Sequence, residues 1–321
     1  MIPGSVHVLR AGLQTTVQDE GRWGYQSRGV PVAGPMDPFS HRLANALAGN
    51  LRTAATLEVS LTGPELEFDD ERVVAVAGAV FSLSVDGQEV PHERPFVVGA
   101  HGRLRFGART AGARAYVAVA GGFDAPVVLG SRSTHVRCHI GGWQGRALMR
   151  GDRLPLGPPH PVRVTGHSGV RWVSDTHLTP IRSMPAGQLR VMPGPESDRF
   201  LPSAFEALQA GTYVVANDSD RMGYRLTGAA VLPSKADIIS DATPCGTLQV
   251  PESGQPILLM ADCQTTGGYA RMGVVIRADL GIAGQAAPGD TLSFCVCSQK
   301  DALVASIARE RQLMAIEALN Q

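Results

Sequence analysis

Residues 256–276 read PILLMADCQTTGGYARMGVVI, a polar segment between two apolar runs. The apolar runs, 256–261 and 274–276, are typical of buried strands. The segment 262–273 between them contains glycines and carries a carboxylate, an amide, hydroxyls and a guanidinium. It is interpreted either as a ligand-binding loop on a rigid scaffold or as a hairpin connection whose polar groups satisfy its own backbone.

Length and composition narrow the class of protein. The chain has 321 residues, which favours roughly two domains. Lys+Arg and Asp+Glu both number 29, which argues against a nucleic-acid or anionic-membrane partner held by bulk charge. No apolar run approaches the about 20 residues that a membrane helix needs. The first residues contain neither a basic segment nor an apolar signal core, and the 5 cysteines are an odd number, so we expect a reduced, cytoplasmic protein.

Most of the chain has the pattern of short strands. The segments 57–61 and 81–85 alternate apolar and polar residues, and Asp86-Gly87 after the second predicts a two-residue hairpin turn. Together with 37 glycines and 22 prolines, this predicts an all-β fold. The periodicity is weak after residue 157, so we place an N-terminal β-barrel-like domain at 1–158 and a C-terminal β-barrel domain at 159–321.

A few helices interrupt the strands. Asp37 before Pro38 predicts a capped helix start. A terminal amphipathic helix is predicted over 301–319, with a capping-box spacing between Ser298 and Asp301. We expect its buried face to contain these apolar residues: Leu303, Ile307 and Met314.

Several well-known chemistries have no motif here. The sequence has neither a phosphate-binding Gly-x-x-x-x-Gly-Lys-Ser/Thr loop nor a Gly-x-Ser-x-Gly nucleophile elbow. Cys295 and Cys297 lack a second ligand pair, so no metal site is expected. Cys138 and His139 are adjacent, and adjacent strand residues point to opposite faces, which argues against a nucleophile–base pair.

The remaining polar loops combine acids, amides, hydroxyls and arginines. They are 19–28, 132–134, 218–221 and 262–271. Because arginine forks match oxyanions, such loops suit a ligand that carries a carboxylate, carbamate or phosphate. The alternative is that each Asp–Arg pair only holds its own loop in place.

The motifs in order resemble a known family. The segment Gly12 to Arg22, followed by Gly34-Pro35-Met36-Asp37, resembles the opening of the biotin-dependent carboxyltransferases. That family includes the C-type subunit of bacterial 5-oxoprolinase, the KipA proteins and allophanate hydrolase subunit 2. Further motifs follow in the family's order: 121–123, 130–134, 151–154, 193–195, 218–223 and 262–269.

This resemblance implies two cyclophilin-like β-barrel domains with a few short helices and a C-terminal helix. It implies a component of an ATP-dependent 5-oxoprolinase, which opens 5-oxoproline to glutamate, or of a related amide or urea carboxyltransferase–hydrolase complex. The expected partners are a KipI-like protein, the B-type component of such a complex, and a third, A-type component. The expected substrate is a small amide or lactam. ATP is expected in the complex, and biotin or carboxybiotin from a partner. The alternative is a KipA-like regulatory protein that antagonises a kinase inhibitor without catalysis of its own.

The site residues are predicted from the loops together with the resemblance. The catalytic residues are expected to be Asp262, Asp218 and Arg221. The substrate-binding residues are expected to be Arg132, Ser133, Gln264, Thr265, Thr266, Tyr269, Arg271, Asp19 and Arg28. We expect Asp262 or Asp218 to handle a proton, and Arg221 and Arg132 to bind oxyanions.

Four residues of the candidate site depart from the family's pattern. Cys263 stands where Arg is usual, Ala270 where Pro is usual, and Asp241-Ala242 where Glu-Gly is usual. No histidine lies near Cys263 in the sequence to activate a thiol, so we expect this residue to be a packing change behind the loop.

Overall fold

The computed structural model describes residues 4–158 and 187–319. The protein is mostly β, with 39% of residues in strands and 20% in helices, which confirms the predicted all-β fold. Within the described ranges, no helix is long and apolar enough to cross a membrane.

Contacts divide the chain into two compact units. The first comprises residues 4–22, 37–158 and 311–319, and the second comprises 23–36 and 187–310. The boundary predicted near residue 158 adjoins 159–186, which lie outside the described residues, and it stays a prediction. The sequence predicted one boundary only. In the structure, 23–36 belong to the second unit and 311–319 to the first.

The first unit is built on one curled sheet, a half-barrel. Its helix is α1 (Pro38–Leu47), and a short 3₁₀ turn lies at Val136–Cys138. Its strands are β1 (Ser5–Arg10), β2 (Gln14–Gln18), β3 (Thr56–Ser60), β4 (Glu65–Phe68), β5 (Arg72–Val85), β6 (Gln88–Val90), β7 (Phe96–Val98), β8 (Arg103–Val119) and β9 (Arg153–Pro155). Their order is β2-β3-β8-β4-β1-β9, and β5 pairs with β6, β7 and β8.

Local sequence signals explain parts of this unit. Asp86 and Gly87 have φ of 51° and 85°, the positive values that a tight hairpin turn needs, so the predicted turn between β5 and β6 is confirmed. The Asp37 carboxylate accepts from the N–H groups of Phe39 and Ser40, which confirms the predicted cap of α1. The core of this unit packs Phe81 edge-to-face against Phe106, with ring centroids 5.2 Å apart.

The second unit is a closed barrel of seven strands. Its strands are β10 (Gln188–Pro193), β11 (Thr212–Val215), β12 (Gly223–Thr227), β13 (Asp237–Ala242), β14 (Thr247–Val250), β15 (Ile257–Leu259), β16 (Thr266–Val275) and β17 (Thr291–Val296). The sheet order is β10-β17-β11-β12-β15-β14-β16, and the pairing of β10 with β16 closes the ring. Strand β13 pairs with β16 at the end of this order and lies outside the ring. The helices are α2 (Pro202–Ala210), α3 (Leu280–Gly284) and α4 (Gln299–Leu319), of which the last part, 311–319, belongs to the first unit. The 3₁₀ turns of the second unit lie at Gln26–Arg28, Ser197–Arg199 and Arg277–Asp279.

Two sequence expectations for this region need correction. The polar segment after residue 261 is a turn only to residue 265, because β16 begins at Thr266 and pairs with β13 and β14. Helix α4 exists and the Ser298–Asp301 capping box is confirmed, but the predicted inward face is wrong. Leu303, Ile307 and Met314 are 61%, 43% and 57% exposed. The buried residues are instead Ala302, Leu313 and Ile316, because apolar residues occur on several faces of this helix and their spacing does not select one.

Candidate functional site

A buried ion pair lies where two barrel strands end. The main-chain N–H of Asp262 donates to the carbonyl oxygen of Arg221 at 2.8 Å, which places both side chains just beyond the β12–β15 pairing. Arg221 Nε and Nη2 donate to Asp262 Oδ2 and Oδ1, both at 2.9 Å. The side chains are only 6% and 5% exposed. This is a bidentate, desolvated pair of the kind that fixes geometry strongly.

The pair also contacts the segment 23–36, which belongs to the second unit. Arg221 Nη2 donates to the carbonyl oxygen of Gly34 at 2.6 Å. Met36 then packs into the barrel core. The same guanidinium therefore fixes Asp262 and the main chain at Gly34. The proton transfer predicted for Asp262 stays a prediction.

The other predicted catalytic aspartate lies in a different environment. Asp218 Oδ2 pairs with Arg225 Nε at 3.0 Å, and these side chains are 67% and 62% exposed. Arg28 is exposed as well. The structure thus shows Asp218 in a surface ion pair with Arg225, and Asp262 in a buried one with Arg221.

A second arginine cluster forms around β16. Arg271 is 5% exposed, and its Nε and Nη2 donate to Glu196 Oε2 and Oε1 at 2.8 and 2.6 Å. Nη2 also donates to Asp241 Oδ2 at 2.8 Å, and Nη1 to the carbonyl oxygen of Ala242 at 2.5 Å. The hydrogen bonds from Arg271 hold the pKa of Glu196 below its usual value. The N–H of Ala242 and then Arg271 do the same for the pKa of Asp241.

The other predicted residues of this segment surround that cluster. The carbonyl oxygens of Gln264 and Thr265 accept from Thr243 Oγ1 and N, at 3.1 and 3.0 Å. Thr266 is exposed, and Tyr269 is 41% exposed on β16 opposite Asp237. The main chain of this segment is therefore fixed, while its side chains remain partly open.

Sequence reasoning missed Glu196 in this cluster, and it also missed Gln249 on β14. It lies directly opposite Arg271 in the β14–β16 register, so both side chains are on one face of the sheet. It is 2% exposed, and among the described residues its Nε2 has no hydrogen-bond partner. The only sequence signal is a glutamine inside the buried strand Thr247–Val250.

The predicted residues of the first unit form a separate network. Asp19 Oδ1 accepts from Ser131 Oγ at 2.5 Å and Ser133 Oγ at 2.7 Å, and Oδ2 accepts from the N–H of Arg132 at 2.5 Å. Burial alone would raise the pKa of Asp19, but these hydrogen bonds outweigh it and hold the pKa below its ordinary value. The Arg132 side chain turns to Asp124 at 2.9 Å. Asp19 and Ser133 therefore hold their own loops together, and their predicted role toward substrate stays a prediction.

The thiol at position 263 matches the expected packing role. Cys263 is 8% exposed, and its Sγ lies 3.8 Å from the carbonyl oxygen of Thr243. Burial, with the Asp262 charge, raises the pKa of Cys263 to about 12. A thiol with that pKa is neutral at physiological pH and is a poor nucleophile.

Known proteins are similar to this chain in sequence and in fold. The family model of the carboxyltransferase domain, subdomain A and B, matches residues 28–296, so the chain belongs to this family. It is 36% identical over 307 residues to the C-type subunit of the 5-oxoprolinase of Escherichia coli, covering 95% of each chain. It is 32% identical to the urea amidolyase of Saccharomyces cerevisiae, covering 99% of this chain but 18% of that protein. The crystal structure of the K. lactis urea amidolyase superposes with a TM-score of 0.89 at 31% identity, over 98% of this chain and 20% of that chain.

Proposed function

We propose that this chain is the C-type subunit of an ATP-dependent enzyme that opens 5-oxoproline to glutamate. The observation that carries the proposal is its similarity to the corresponding 5-oxoprolinase component, 36% identity that covers 95% of both chains. The match to the urea amidolyase is of similar identity but covers only 18% of that protein. A relative that matches from end to end is the better guide to the complex in which this chain works.

The proposed enzyme is completed by two partner proteins. A KipI-like B-type protein and an A-type protein would complete the active complex, and ATP would bind among their residues. In the part of the chain that the structure describes, the N–H groups at the start of α1 are capped by the Asp37 carboxylate, and the capping box of α4 contains Asp301. Carboxylates at helix N-termini repel phosphate, so neither end suits a nucleotide.

Biotin is the other group that the family implies. The fit is tested by the face that carries Arg271 and Gln249, because a guanidinium and an unpartnered amide Nε2 lie there opposite each other among the described residues. These are suitable donors for the oxygens of a carboxylated ligand, so these two residues would hold the group. When bound, carboxybiotin carries the carboxyl group that a carboxyltransferase moves.

A binding role without catalysis by this chain is favoured by one observation. The acid predicted to move a proton, Asp262, has both oxygens held by Arg221. A KipA-like regulator needs only the docking and ligand-binding surfaces. Activity assays on the reconstituted complex separate the two proposals.

The test is reconstitution of the purified chain with its A-type and B-type partners, with 5-oxoproline and ATP supplied and glutamate measured. We expect glutamate from the full set and negligible ATP hydrolysis by this chain alone. Urea replaces 5-oxoproline in a parallel reaction. Turnover of urea but not 5-oxoproline would overturn the substrate, and an active complex without this chain would overturn its role in catalysis.

A further inference from the structure

A buried glutamine in the barrel has an unsatisfied donor. Strand β14 is buried along its whole length, and Gln249 stands in it with 2% exposure. Its Nε2 is enclosed and has no hydrogen-bond partner within the described ranges. A buried donor without a protein partner destabilises the folded chain unless a water or a ligand satisfies it.

The amide of Gln249 lies near Arg271, Gly267 and Thr243, and these residues form the Gln249–Arg271 face. Gln249 is paired with Arg271 across the β14–β16 ladder. Gly267 is also close to the amide, because a Cβ added there would fall 2.4 Å from Gln249 Nε2 and 3.1 Å from Thr243 Cγ2. Any side chain at residue 267 would collide with the Gln249 amide, so the glycine there allows the amide its present position.

One carboxylate of this face lies at the surface. The Asp241 side chain is 62% exposed, yet its Oδ2 lies 2.8 Å from Nη2 of the buried Arg271. Glu196, in contrast, is 15% exposed and holds Arg271 through two hydrogen bonds. Asp241 is therefore the partner that an incoming carboxylate can replace, since its release to solvent is easy and Glu196 still fixes the guanidinium.

We propose that Gln249 binds a cis-amide or ureido group of a ligand, with the ligand's carboxylate taking the place of Asp241 on Arg271. A carboxamide carries a donor and an acceptor side by side, which matches the C=O and N–H edge of a lactam, of urea or of the biotin ring. A lactam that also carries a carboxylate satisfies both residues together. This inference rests on the proposed function for the choice of 5-oxoproline, but the recognition of the amide edge does not depend on turnover.

The test uses Gln249→Met in the full chain, with two measurements. Methionine is similar in size and has no polar hydrogen, so removal of the unsatisfied donor should raise the melting temperature by about 2–4 °C. Binding of 5-oxoproline, followed by calorimetry, should weaken by roughly 3- to 10-fold. The matched control is Gln255→Met, because the Gln255 amide is satisfied by both polar groups of Gly228, at 2.9 and 3.2 Å. That control should lower the melting temperature and leave binding unchanged.

Three further probes show which class of ligand, a lactam, urea or biotin, presents its amide edge to Gln249. 2-Pyrrolidone is a lactam without a carboxylate, urea lacks both ring and carboxylate, and biotin presents the ureido ring. Asp241→Asn should strengthen binding of 5-oxoproline and leave 2-pyrrolidone unchanged, since only the former competes with the Asp241 charge. The probe that loses most affinity in Gln249→Met identifies the natural class.

The outcomes decide the inference separately from the proposed function. A Gln249→Met chain that is less stable than wild type, or that binds every probe as wild type does, overturns it. Failure of the wild-type chain to bind any probe, alone or with its partner proteins, also overturns it. If a probe binds through Gln249 but the complex does not open 5-oxoproline, the proposed function fails and this inference stands.

Discussion

Replacement of Asp262 by alanine should unfold the barrel at much milder conditions, because it leaves the guanidinium of Arg221 buried without its counter-charge. Both side chains of the pair are about as buried as core residues, at 5% and 6% exposure. The two hydrogen bonds between them, each 2.9 Å, are lost together. The carbonyl oxygen of Gly34 would remain a partner of Arg221, but it carries no charge.

The expected magnitude follows from the burial. Removal of one partner of a buried ion pair costs about 3–5 kcal/mol of unfolding free energy. For a unit of this size, each kcal/mol lowers the melting temperature by about 2–4 °C, so the fall should be about 6–20 °C. The double variant Arg221→Met/Asp262→Leu should recover most of this loss, since neither residue then leaves a buried charge.

The measurement is urea unfolding followed by far-ultraviolet circular dichroism and tryptophan fluorescence. The matched control is Asp218→Ala, which removes the acid of an Asp–Arg pair whose side chains are 67% and 62% exposed. We expect the control to change the unfolding free energy by less than about 0.5 kcal/mol.

Two results would refute this reasoning. If Asp262→Ala unfolds at the same urea concentration as wild type, the Arg221–Asp262 pair does not stabilise the fold. If Asp262→Asn keeps full stability but abolishes turnover in the reconstituted complex, Asp262 acts chemically and the structural interpretation is wrong.

Three further predictions concern other residues. Burial lowers the pKa of His41 from 6.5 to about 4, so between these pH values the unfolded chain binds one proton more than the folded chain. The free energy of unfolding should therefore fall by about 1.4 kcal/mol per pH unit as the pH drops from 6.5 toward 4. The variant His41→Gln should show a smaller slope when urea unfolding is measured at each pH. Cys263, with a pKa near 12, should react with iodoacetamide at pH 8 far more slowly than the exposed Cys138, as peptide mass spectrometry would show, and Cys263→Ser should leave ligand binding unchanged. Asp37→Ala should lower the unfolding free energy by about 1 kcal/mol through the lost cap of α1, and equal urea midpoints for variant and wild type would contradict it.

Local signals in the sequence predicted local structure well. The Asp86-Gly87 turn, the Asp37 cap and the Ser298–Asp301 capping box are all confirmed. Each depends on residues within a few positions of one another, so the chemistry that fixes it can be found in a short segment. The all-β class followed in the same way, from many short alternating segments.

The partners of the charged side chains could not be predicted in this way. Arg221 and Asp262 are separated by 41 positions, and Glu196 and Arg271 by 75. Asp262 and Arg271 are close in the sequence, which would suggest that they pair. They do not pair, because Arg271 lies on strand β16, away from the turn that contains Asp262. Long-range strand register decides which acid meets which arginine, and the sequence contains no short-range signal of it.

The segment 262–273 therefore serves two purposes that the sequence presents as one. At its start, Asp262 and Cys263 are buried, the first as a paired carboxylate and the second as a neutral thiol. Further along, Arg271 is shared between one buried and one exposed carboxylate, next to an amide whose Nε2 has no partner in the described part of the chain. Both oxygens of the Asp19 carboxylate accept hydrogen bonds, whereas the Gln249 amide nitrogen, at the Arg271 end, has none to donate to among the described residues. The ligand-binding function of the segment is accordingly expected at the Arg271 end, and variants of Asp262 should be interpreted first as changes in folding.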